Sequence, residues 1–324
     1  MYTVQTISEG GVTLDCLTCK RTGAEIRVAP DAGLNWTHWI VNGTDRLWKS
    51  DAFFTRNENG GLGAGGSPLL FPMVGRTWDM TVNPPVFGQY RQTPGGTAFR
   101  MPIHGFGALM RWERVAAGES DGRGILRYRA DITPEIRATM YPYEIEFGVT
   151  YGLDGTDAFV RFDAIGTGTA PAPFAFGTHP YLRLNTRAGQ TLSVPSKDDR
   201  ELAAGLSIPA QPGVAVEKDD FGDGRAIDLS GAWDRVFVNL YAGDVRLEDA
   251  SGAGYELAFD HELFNTCVVY TDATNPCLCI EPWTDGLGGF SYAADPAKCA
   301  ACGMPAVQPG EMISGEVRLS VLKA

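Results

Sequence analysis

Residues 143–154 read YEIEFGVTYGLD, in which apolar and polar side chains alternate. Successive side chains of a β-strand point to opposite faces, so one face of this segment would be buried and the other would be more polar. The segment therefore predicts a half-buried antiparallel strand. The turn-forming residues Asp154-Gly155-Thr156-Asp157 at its end predict a tight hairpin turn.

The same alternation recurs along the chain to its last residues, in the segments 126–132, 160–164, 255–259 and 317–321. Glycine-rich clusters at 222–224 and 250–254 predict further turns. The best helical candidate, Glu262 to Phe264, extends over one turn at most. No change in composition and no linker divides the strands. The sequence therefore predicts an all-β fold, a large antiparallel sandwich with one domain over residues 1–324.

The composition excludes several classes of function. Hydrophobic residues make up 44% of the chain and charged residues 20%, which is enough apolar material for a large core. The net charge of −12 disfavours binding to nucleic acid or to an anionic membrane surface. We find no apolar run long enough to span a membrane and no export signal at the first residues, so we expect a cytoplasmic protein with no membrane partner.

Two pairs of cysteines have the C-x-x-C spacing, Cys16 with Cys19 and Cys299 with Cys302. Four thiolates from two such pairs could form a tetrahedral zinc site if the two ends of the chain met in space. In the alternative interpretation, Cys16 and Cys19 lie on one strand. Residues three apart on a strand point to opposite faces and cannot bind one metal ion together.

One glycine motif, Gly61-Leu62-Gly63-Ala64-Gly65-Gly66, satisfies the pattern G-x-G-x-x-G of dinucleotide-binding proteins. That pattern requires a helix after the glycines, and the following Ser67-Pro68-Leu69-Leu70-Phe71-Pro72 is a poor helix start. A glycine loop is the better interpretation. Phosphate-binding loops, zinc-protease motifs and nucleophile elbows have no match in the sequence.

Five polar residues lie where the chain could present them to a ligand. His104 and His179 stand between glycine and proline, where an irregular backbone can aim an imidazole into a cleft, although a structural role is equally open for each. Glu281 ends an apolar segment, and desolvation there would raise its pKa as a general base requires. Arg76 also follows an apolar run and could hold an ion-pair partner or a ligand. Asp234 begins a predicted strand, where a turn-forming role is the alternative.

Four motifs resemble, in order and spacing, the aldose 1-epimerase (galactose mutarotase) family. They are Leu70-Phe71-Pro72…Gly75-Arg76, His104-Gly105-Phe106…Trp112-Glu113, Gly177…His179-Pro180-Tyr181 and Ile280-Glu281-Pro282-Trp283-Thr284. The resemblance implies a large antiparallel β-supersandwich with a sugar cleft. It also implies an isomerase that acts on a small sugar without a cofactor.

The resemblance also implies a role for each of the five polar residues. Glu281 matches the general base and His179 the general acid, while His104 and Arg76 match residues that hydrogen-bond the sugar near C1 and the ring oxygen. Asp234 matches an acceptor of sugar hydroxyls. Opening a hemiacetal ring needs one group to take the C1 hydroxyl proton and another to protonate the ring oxygen. We therefore expect Glu281 and His179 to lie on loops and to converge from opposite sides of one sugar-sized hollow.

Two other functions stay open at this point. The chain has Ala108 where many relatives, including sugar-phosphate epimerases, carry an arginine, which argues against a hexose phosphate because phosphate capture generally uses Arg or Lys clusters. Arg111 is nearby and keeps that alternative open. A non-catalytic carbohydrate-binding protein of the same fold is the second alternative. The sequence does not predict the sugar or the oligomeric state.

Overall fold

The structure is a computed structural model that describes residues 1–57, 61–284 and 287–323. It is nearly all β, as predicted. Its strands, in chain order, are β1 Tyr2–Glu9, β2 Val12–Cys19, β3 Glu25–Ala29, β4 Asn35–Val41, β5 Thr44–Asp45, β6 Leu69–Leu70, β7 Trp78–Asp79, β8 Val86–Phe87, β9 Gln89–Arg91, β10 Ala98–Arg100, β11 Glu113–Ser120, β12 Arg123–Asp131, β13 Ile145–Asp154, β14 Asp157–Gly166, β15 Ala172–Pro173, β16 Gly177–Thr178, β17 Tyr181–Arg183, β18 Gln190–Val194, β19 Asp198–Asp199, β20 Val216–Glu217, β21 Phe221–Ile227, β22 Trp233–Val238, β23 Asp244–Glu248, β24 Gly254–Phe259, β25 Thr266–Thr271, β26 Cys277–Trp283, β27 Ala306–Val307 and β28 Met312–Leu322.

The described residues form two short α-helices, α1 Pro134–Thr139 and α2 Pro296–Ala301, and 3₁₀ turns at Gly107–Leu109 and Phe290–Tyr292. Each α-helix begins with proline after a capping side chain, Thr133 for α1 and Asp295 for α2. The helical candidate at 262–264 is a single turn, as the limit of one turn predicts, with one bond from the Phe264 amide to the Asp260 carbonyl. The sequence analysis missed α1 and α2 because six residues give too short a periodic pattern.

Three large sheets organise the described residues, and all pairs between named strands are antiparallel. A nine-stranded sheet has the order β11-β12-β13-β14-β28-β24-β23-β18-β21. An eight-stranded sheet has the order β20-β19-β22-β25-β26-β16-β6, with β17 paired to β26, and a five-stranded sheet follows chain order from β1 to β5. This architecture confirms the predicted antiparallel β-supersandwich.

The opening segment forms β13 as predicted, and its apolar residues Ile145, Phe147 and Val149 lie in the core. The hairpin that follows pairs Asp154 with Asp157 across a turn at Gly155, which confirms the predicted turn. The prediction of a turn at 222–224 is wrong. Those residues lie inside β21, at a register shift in its pairing with β18, so the glycines mark a β-bulge rather than a chain reversal.

The main core packs between the sheets. Phe147 of the nine-stranded sheet stacks on Phe71, with the ring centroids 3.7 Å apart. Phe162, on the neighbouring strand β14, contacts Phe176 at 4.5 Å between ring centroids. The eight-stranded sheet contributes the buried side chains of Phe237, Val269, Leu278 and Ile280 to the same cluster. Its alternate side chains point to the other face, which leaves that face available for a site.

The two C-x-x-C pairs do not form the hypothetical zinc site. Cys16 and Cys19 point to opposite faces of β2 and belong to different apolar clusters, as the alternative interpretation predicts. Cys299 lies on α2 and Cys302 directly follows that helix. Among the described residues, one group of His, Cys, Asp and Glu side chains is close enough to share a metal ion, and it contains none of these four cysteines.

None of the helices in the described part of the chain is long and apolar enough to span a membrane.

Candidate active site

The floor of the candidate site is the outer face of the eight-stranded sheet. Leu278 and Ile280 of β26 point into the main core, so the alternating residues Glu281 and Trp283 point the other way. Glu281 pairs with Val268 of β25, which is on the same face. The apolar run before Glu281 therefore reflects a strand that is buried on both faces.

A cavity of about 270 Å³ lies over this floor. All five polar residues singled out in the sequence line it. Its walls are formed by Gly75, Arg76, Ile103, His104, His179, Tyr181, Leu202, Ser207, Asp234, Val236, Val268, Tyr270, Glu281, Trp283 and Leu287. The volume is close to the lower limit of ~300 Å³ for small-molecule sites, which suits a ligand the size of a single sugar.

His179 and Glu281 are in direct contact, with 3.3 Å between Nε2 and Oε1. His179 is 7% exposed and Glu281 is 1% exposed. The expectation that they face each other across the hollow is wrong, because they lie side by side on its floor. Glu281 also belongs to a strand rather than a loop, whereas His179 joins the short strands β16 and β17.

Burial dominates the protonation of this pair. It lowers the pKa of His179 to about 3, and the neighbouring His104 adds to the shift. Burial also raises the pKa of Glu281 well above its usual value, with a further rise from Asp234 that the Trp283 indole opposes. Each shift favours the uncharged form. Burial therefore disfavours both the imidazolium of His179 and the carboxylate of Glu281.

His104 is held by the backbone of Gly75. The amide of Gly75 donates to His104 Nδ1 at 3.1 Å, and the amide of His104 donates to the Gly75 carbonyl at 2.8 Å. Burial and then Arg76 lower the pKa of His104 to about 4, so the ring is neutral. Because Nδ1 accepts a hydrogen bond, the proton lies on Nε2, which makes His104 a hydrogen-bond donor to a ligand.

The backbone at His104 is strained, with φ at 61°, and the next residue, Gly105, has φ at 79°. A Cβ at Gly105 would lie 2.2 Å from the carbonyl oxygen of Phe71. Glycine is therefore required where this loop crosses the loop before Arg76.

Gly105→Ala is expected to lower the free energy of unfolding by ~3 kcal/mol, from conformational strain and overpacking together. It should also reduce activity, because His104 would move. Chemical denaturation measures the first effect. The control is Gly122→Ala, at a φ of 78° with no atom within 4 Å of the added Cβ, which should cost only ~1 kcal/mol. Equal losses in the two variants would contradict the contact argument.

Arg76 and Asp234 lie toward the solvent side of the cavity. Asp234 is exposed on β22 and Arg76 is half-buried, directly after the positive-φ residue Gly75. Partial desolvation raises the pKa of Asp234, and Arg76 opposes that shift. A carboxylate and a guanidinium at this rim can supply an acceptor and donors to the polar groups of a ligand.

Aromatic side chains complete the cavity. Tyr181 stacks on the His179 ring with 4.7 Å between centroids, and Tyr270 meets it edge-on at 6.1 Å. The sequence analysis missed both. Tyr181 could have been found, since it follows His179 by two residues and so shares its face of an extended chain. Trp283 lines the cavity, whereas Phe290 lies in the main core.

His179, Cys279 and Glu281 also form the one group of potential metal ligands found among the described residues. Their ligand atoms lie within 4.8 Å of one another and all three side chains are buried. Imidazole, thiolate and carboxylate are ligands that zinc accepts. A metal ion there would use the same lone pairs as the contact between His179 and Glu281, so it would compete with proton exchange between them.

Comparison with known proteins assigns the family. The model of the aldose 1-epimerase family matches residues 15–320. Several solved structures superpose on this chain over nearly their whole lengths. The protein Slr1438 from Synechocystis sp. PCC 6803 has 21% identity, a TM-score of 0.76 and coverage of 99% of this chain and 96% of its own. A galactose mutarotase-like protein from Clostridium acetobutylicum has 17% identity, a TM-score of 0.78 and coverage of 98% of each chain.

An aldose epimerase homologue from C. elegans has 17% identity and a TM-score of 0.66, with coverage of 98% of this chain and 99% of its own. At these identities the structural likeness establishes the fold. Comparison with curated proteins found no match. The family match covers most of the sequence, and the chain therefore belongs to the aldose 1-epimerase family.

Proposed function

We propose that this protein is an aldose 1-epimerase that interconverts the α and β anomers of a hexose, with Glu281 and His179 as the proton-transfer pair. This proposal is based on the 3.3 Å contact between a buried imidazole and a buried carboxyl on the cavity floor. The C1 hydroxyl oxygen and the ring oxygen are bonded to the same carbon. Two acid–base groups that lie side by side therefore suit this reaction better than two groups on opposite walls.

Glu281 and His179 can supply and take up every proton that the reaction moves. In the proposed reaction the pair begins with one proton, and its transfer from Glu281 to His179 gives a carboxylate and an imidazolium. Glu281 then takes the C1 hydroxyl proton while His179 protonates the ring oxygen, the bond from C1 to the ring oxygen breaks, and C1 becomes a carbonyl. Rotation about the C1–C2 bond and the reverse transfers give the other anomer. No net proton, electron or group is gained.

The neighbouring residues have supporting roles in this proposal. His104 donates through Nε2 to a sugar oxygen near the reacting carbon, where negative charge develops. Arg76 donates to sugar hydroxyls and Asp234 accepts from them. Trp283 offers an apolar surface to the CH groups of the ring.

Burial of the pair favours catalysis over binding alone. Glu281 Oε2 and Trp283 Nε1 are buried and have no hydrogen-bond partner of good geometry among the described residues. Desolvated polar groups cost stability, and a protein that only binds a sugar does not require them. Polarimetry with freshly dissolved α-glucose and α-galactose tests the proposal. Faster approach to equilibrium than in buffer is expected, and an unchanged rate with a panel of aldoses would reject it.

Charge argues against the hexose-phosphate alternative. Of the described residues that line the cavity, Arg76 is the only Arg or Lys. Phosphate recognition generally uses several such groups. Glucose 6-phosphate in the same assay is expected to react no faster than glucose.

The activity should not show the pH dependence of an ordinary histidine. Because burial lowers the pKa of His179 from 6.5 to about 3, lowering the pH through 6.5 does not protonate this imidazole. We therefore expect kcat/KM to show no inflection near pH 6.5 and to fall at lower pH, where His179 takes up a proton. The pH profile of kcat/KM, corrected for the spontaneous reaction, checks this. An inflection near 6.5 would contradict it.

A further inference from the structure

A small cavity of about 110 Å³ lies apart from the catalytic cavity, and no described residue lines both. Its charged lining consists of three cationic side chains, Arg46, Arg183 and Lys323, and one carboxylate, that of Asp249. Three leucines add apolar walls, which strengthen the electrostatic interactions of a bound ligand by excluding water. A water molecule occupies ~30 Å³ in the liquid, so this cavity suits a small ligand.

Arg46 and Arg183 lie directly opposite each other on two antiparallel segments. Leu47 and Leu182 form an antiparallel bridge, and the Arg183 amide donates to the Arg46 carbonyl at 2.8 Å. Both leucines are fully buried in the main core, so the alternation of side chains directs the two arginines to the other face. Like charges that lie opposite each other on paired strands are destabilising. An anion bound between the two guanidiniums would offset their repulsion.

The Tyr255 hydroxyl holds the two segments together from below. It donates to the Arg183 carbonyl at 2.7 Å, and it lies 3.4 Å from the Arg46 carbonyl. Burial raises the pKa of this hydroxyl to about 12, and the charges of Arg46 and Arg183 both oppose the rise. Both positive charges therefore act on the same hydroxyl, which agrees with their opposed positions.

The two guanidiniums have donors that the described residues do not use. Arg46 Nη2 donates to the Val41 carbonyl at 3.3 Å, and Arg46 Nε is buried without a hydrogen-bond partner. Arg183 Nε donates to the Asp45 carbonyl at 3.1 Å. Neither guanidinium forms an ion pair with a described carboxylate. Buried donors without acceptors are costly, so a ligand with several acceptor oxygens suits this pair.

The neighbouring carboxylates have other partners. Asp249 Oδ1 accepts from the Ser251 amide at 2.8 Å and from its hydroxyl at 2.6 Å. Asp45 forms an ion pair with Lys49, on the other side of the segment from Arg46. Lys323 Nζ donates to the Ser251 carbonyl at 2.9 Å, which places the third cation beside the same turn. Three cations and one carboxylate give the described lining a net charge of +2.

We propose that this cavity binds phosphate, either as the free inorganic ion or as the phosphate group of a small ester. A tetrahedral dianion matches the charge of the lining and offers acceptor oxygens to both guanidiniums. The chain as a whole carries a net charge of −12, so binding depends on these local contacts rather than on long-range attraction. The proposal does not depend on the proposed function, because the catalytic cavity shares none of this lining.

Calorimetry with inorganic phosphate at pH 7.5 and constant ionic strength tests the binding. We expect one saturable site per chain, together with a rise in Tm that sodium chloride at the same ionic strength does not produce. Acetate, a monoanion, should bind at least tenfold more weakly, and acetate binding as tight as that of phosphate would contradict the proposal.

Glycerol 3-phosphate, which has no hemiacetal, is the ester probe in the same experiment. Tighter binding of the ester than of phosphate supports an ester as the ligand, and weaker binding supports the free ion. The absence of saturable binding for both would overturn the proposal.

Arg183→Gln is expected to weaken phosphate binding at least tenfold, because one of the two guanidiniums is lost. Arg111→Gln is the matched control, since Arg111 is exposed and lines neither cavity, and Arg76→Gln removes the arginine of the catalytic cavity. Both controls should bind phosphate as the wild type does. Equal losses in Arg183→Gln and Arg111→Gln would overturn the proposal, as would a loss confined to Arg76→Gln.

The effect of Arg183→Gln on stability should depend on phosphate. Without phosphate, the removal of one of two opposed like charges should leave the Tm at or above that of the wild type. In saturating phosphate the wild type should be the more stable protein, because it binds the ion more tightly. Thermal unfolding of both proteins in both buffers measures this. The same difference in Tm with and without phosphate would contradict the site, and Arg46→Gln replaces Arg183→Gln if that variant is not folded.

Discussion

Glu281→Gln is expected to slow the epimerisation of glucose by about 10²–10⁴-fold, because the amide keeps the shape of the side chain and cannot accept the C1 hydroxyl proton. Polarimetry or exchange NMR measures the rate. Sugar affinity measured by calorimetry should change little, since the proposed hydroxyl contacts with Arg76 and Asp234 do not involve Glu281. This combination separates an enzyme from a sugar-binding protein, which would have no rate to lose.

The free energy of unfolding provides a second readout for Glu281→Gln. The folded state raises the pKa of Glu281, so its contribution to stability is present at low pH and is lost as the pH rises above the usual value of 4.5. The neutral glutamine should therefore unfold no more easily than the wild type at pH 8. Glu135→Gln, at an exposed position on α1, is the control for both measurements. Activity within threefold of the wild type would remove Glu281 from the mechanism.

His179→Gln is expected to lose about 10²–10⁴-fold in the same assay. Glutamine can donate a hydrogen bond from near the position of Nε2, but it does not take up and release a proton at neutral pH. In the proposed mechanism His179 and Glu281 share one proton, so they should act as a unit. The double variant is therefore expected to be no more than ~10-fold slower than the slower single variant.

His261→Gln is the control for this series, as His261 lies in a turn after β24, away from the catalytic cavity. Two results would contradict the shared-proton mechanism. One is multiplication of the two single losses in the double variant, which would indicate independent roles. The other is nearly full activity of His179→Gln.

The strands were the predictable part of the fold, because the alternation of apolar and polar residues can be recognised within each segment alone. Residues 145–154 pair with strands on both sides, yet their own sequence is enough to show which side chains face the core. The prediction for residues 222–224 was wrong because glycine is typical of both β-bulges and turns. The pairing with the neighbouring strand determines which of the two forms. The capping residues Thr133 and Asp295 were visible signals for α1 and α2.

The members of the candidate site were predictable, whereas their arrangement was not. Resemblance to a family brought Arg76, His104, His179, Asp234 and Glu281 together, and all five line one cavity. That Glu281 touches His179 depends on the register of β26 against β17, which pairs segments far apart in the sequence. The glycine loop packs closely against Ala52 and Trp48, and no motif records that packing.

Glu281 and Ile280 are neighbours on a strand that is buried on both faces. Evolution can therefore change the residues around Glu281 less freely than the residues at the rim of the cavity. A substitution that repacks the interior at Ile280 displaces the carboxylate on the other side of the same strand, so the reaction chemistry tolerates little drift. Asp234, by contrast, lies at the open rim of the cavity and outside the main core. In the proposed enzyme, substrate preference can therefore diversify at this position while the chemistry stays the same.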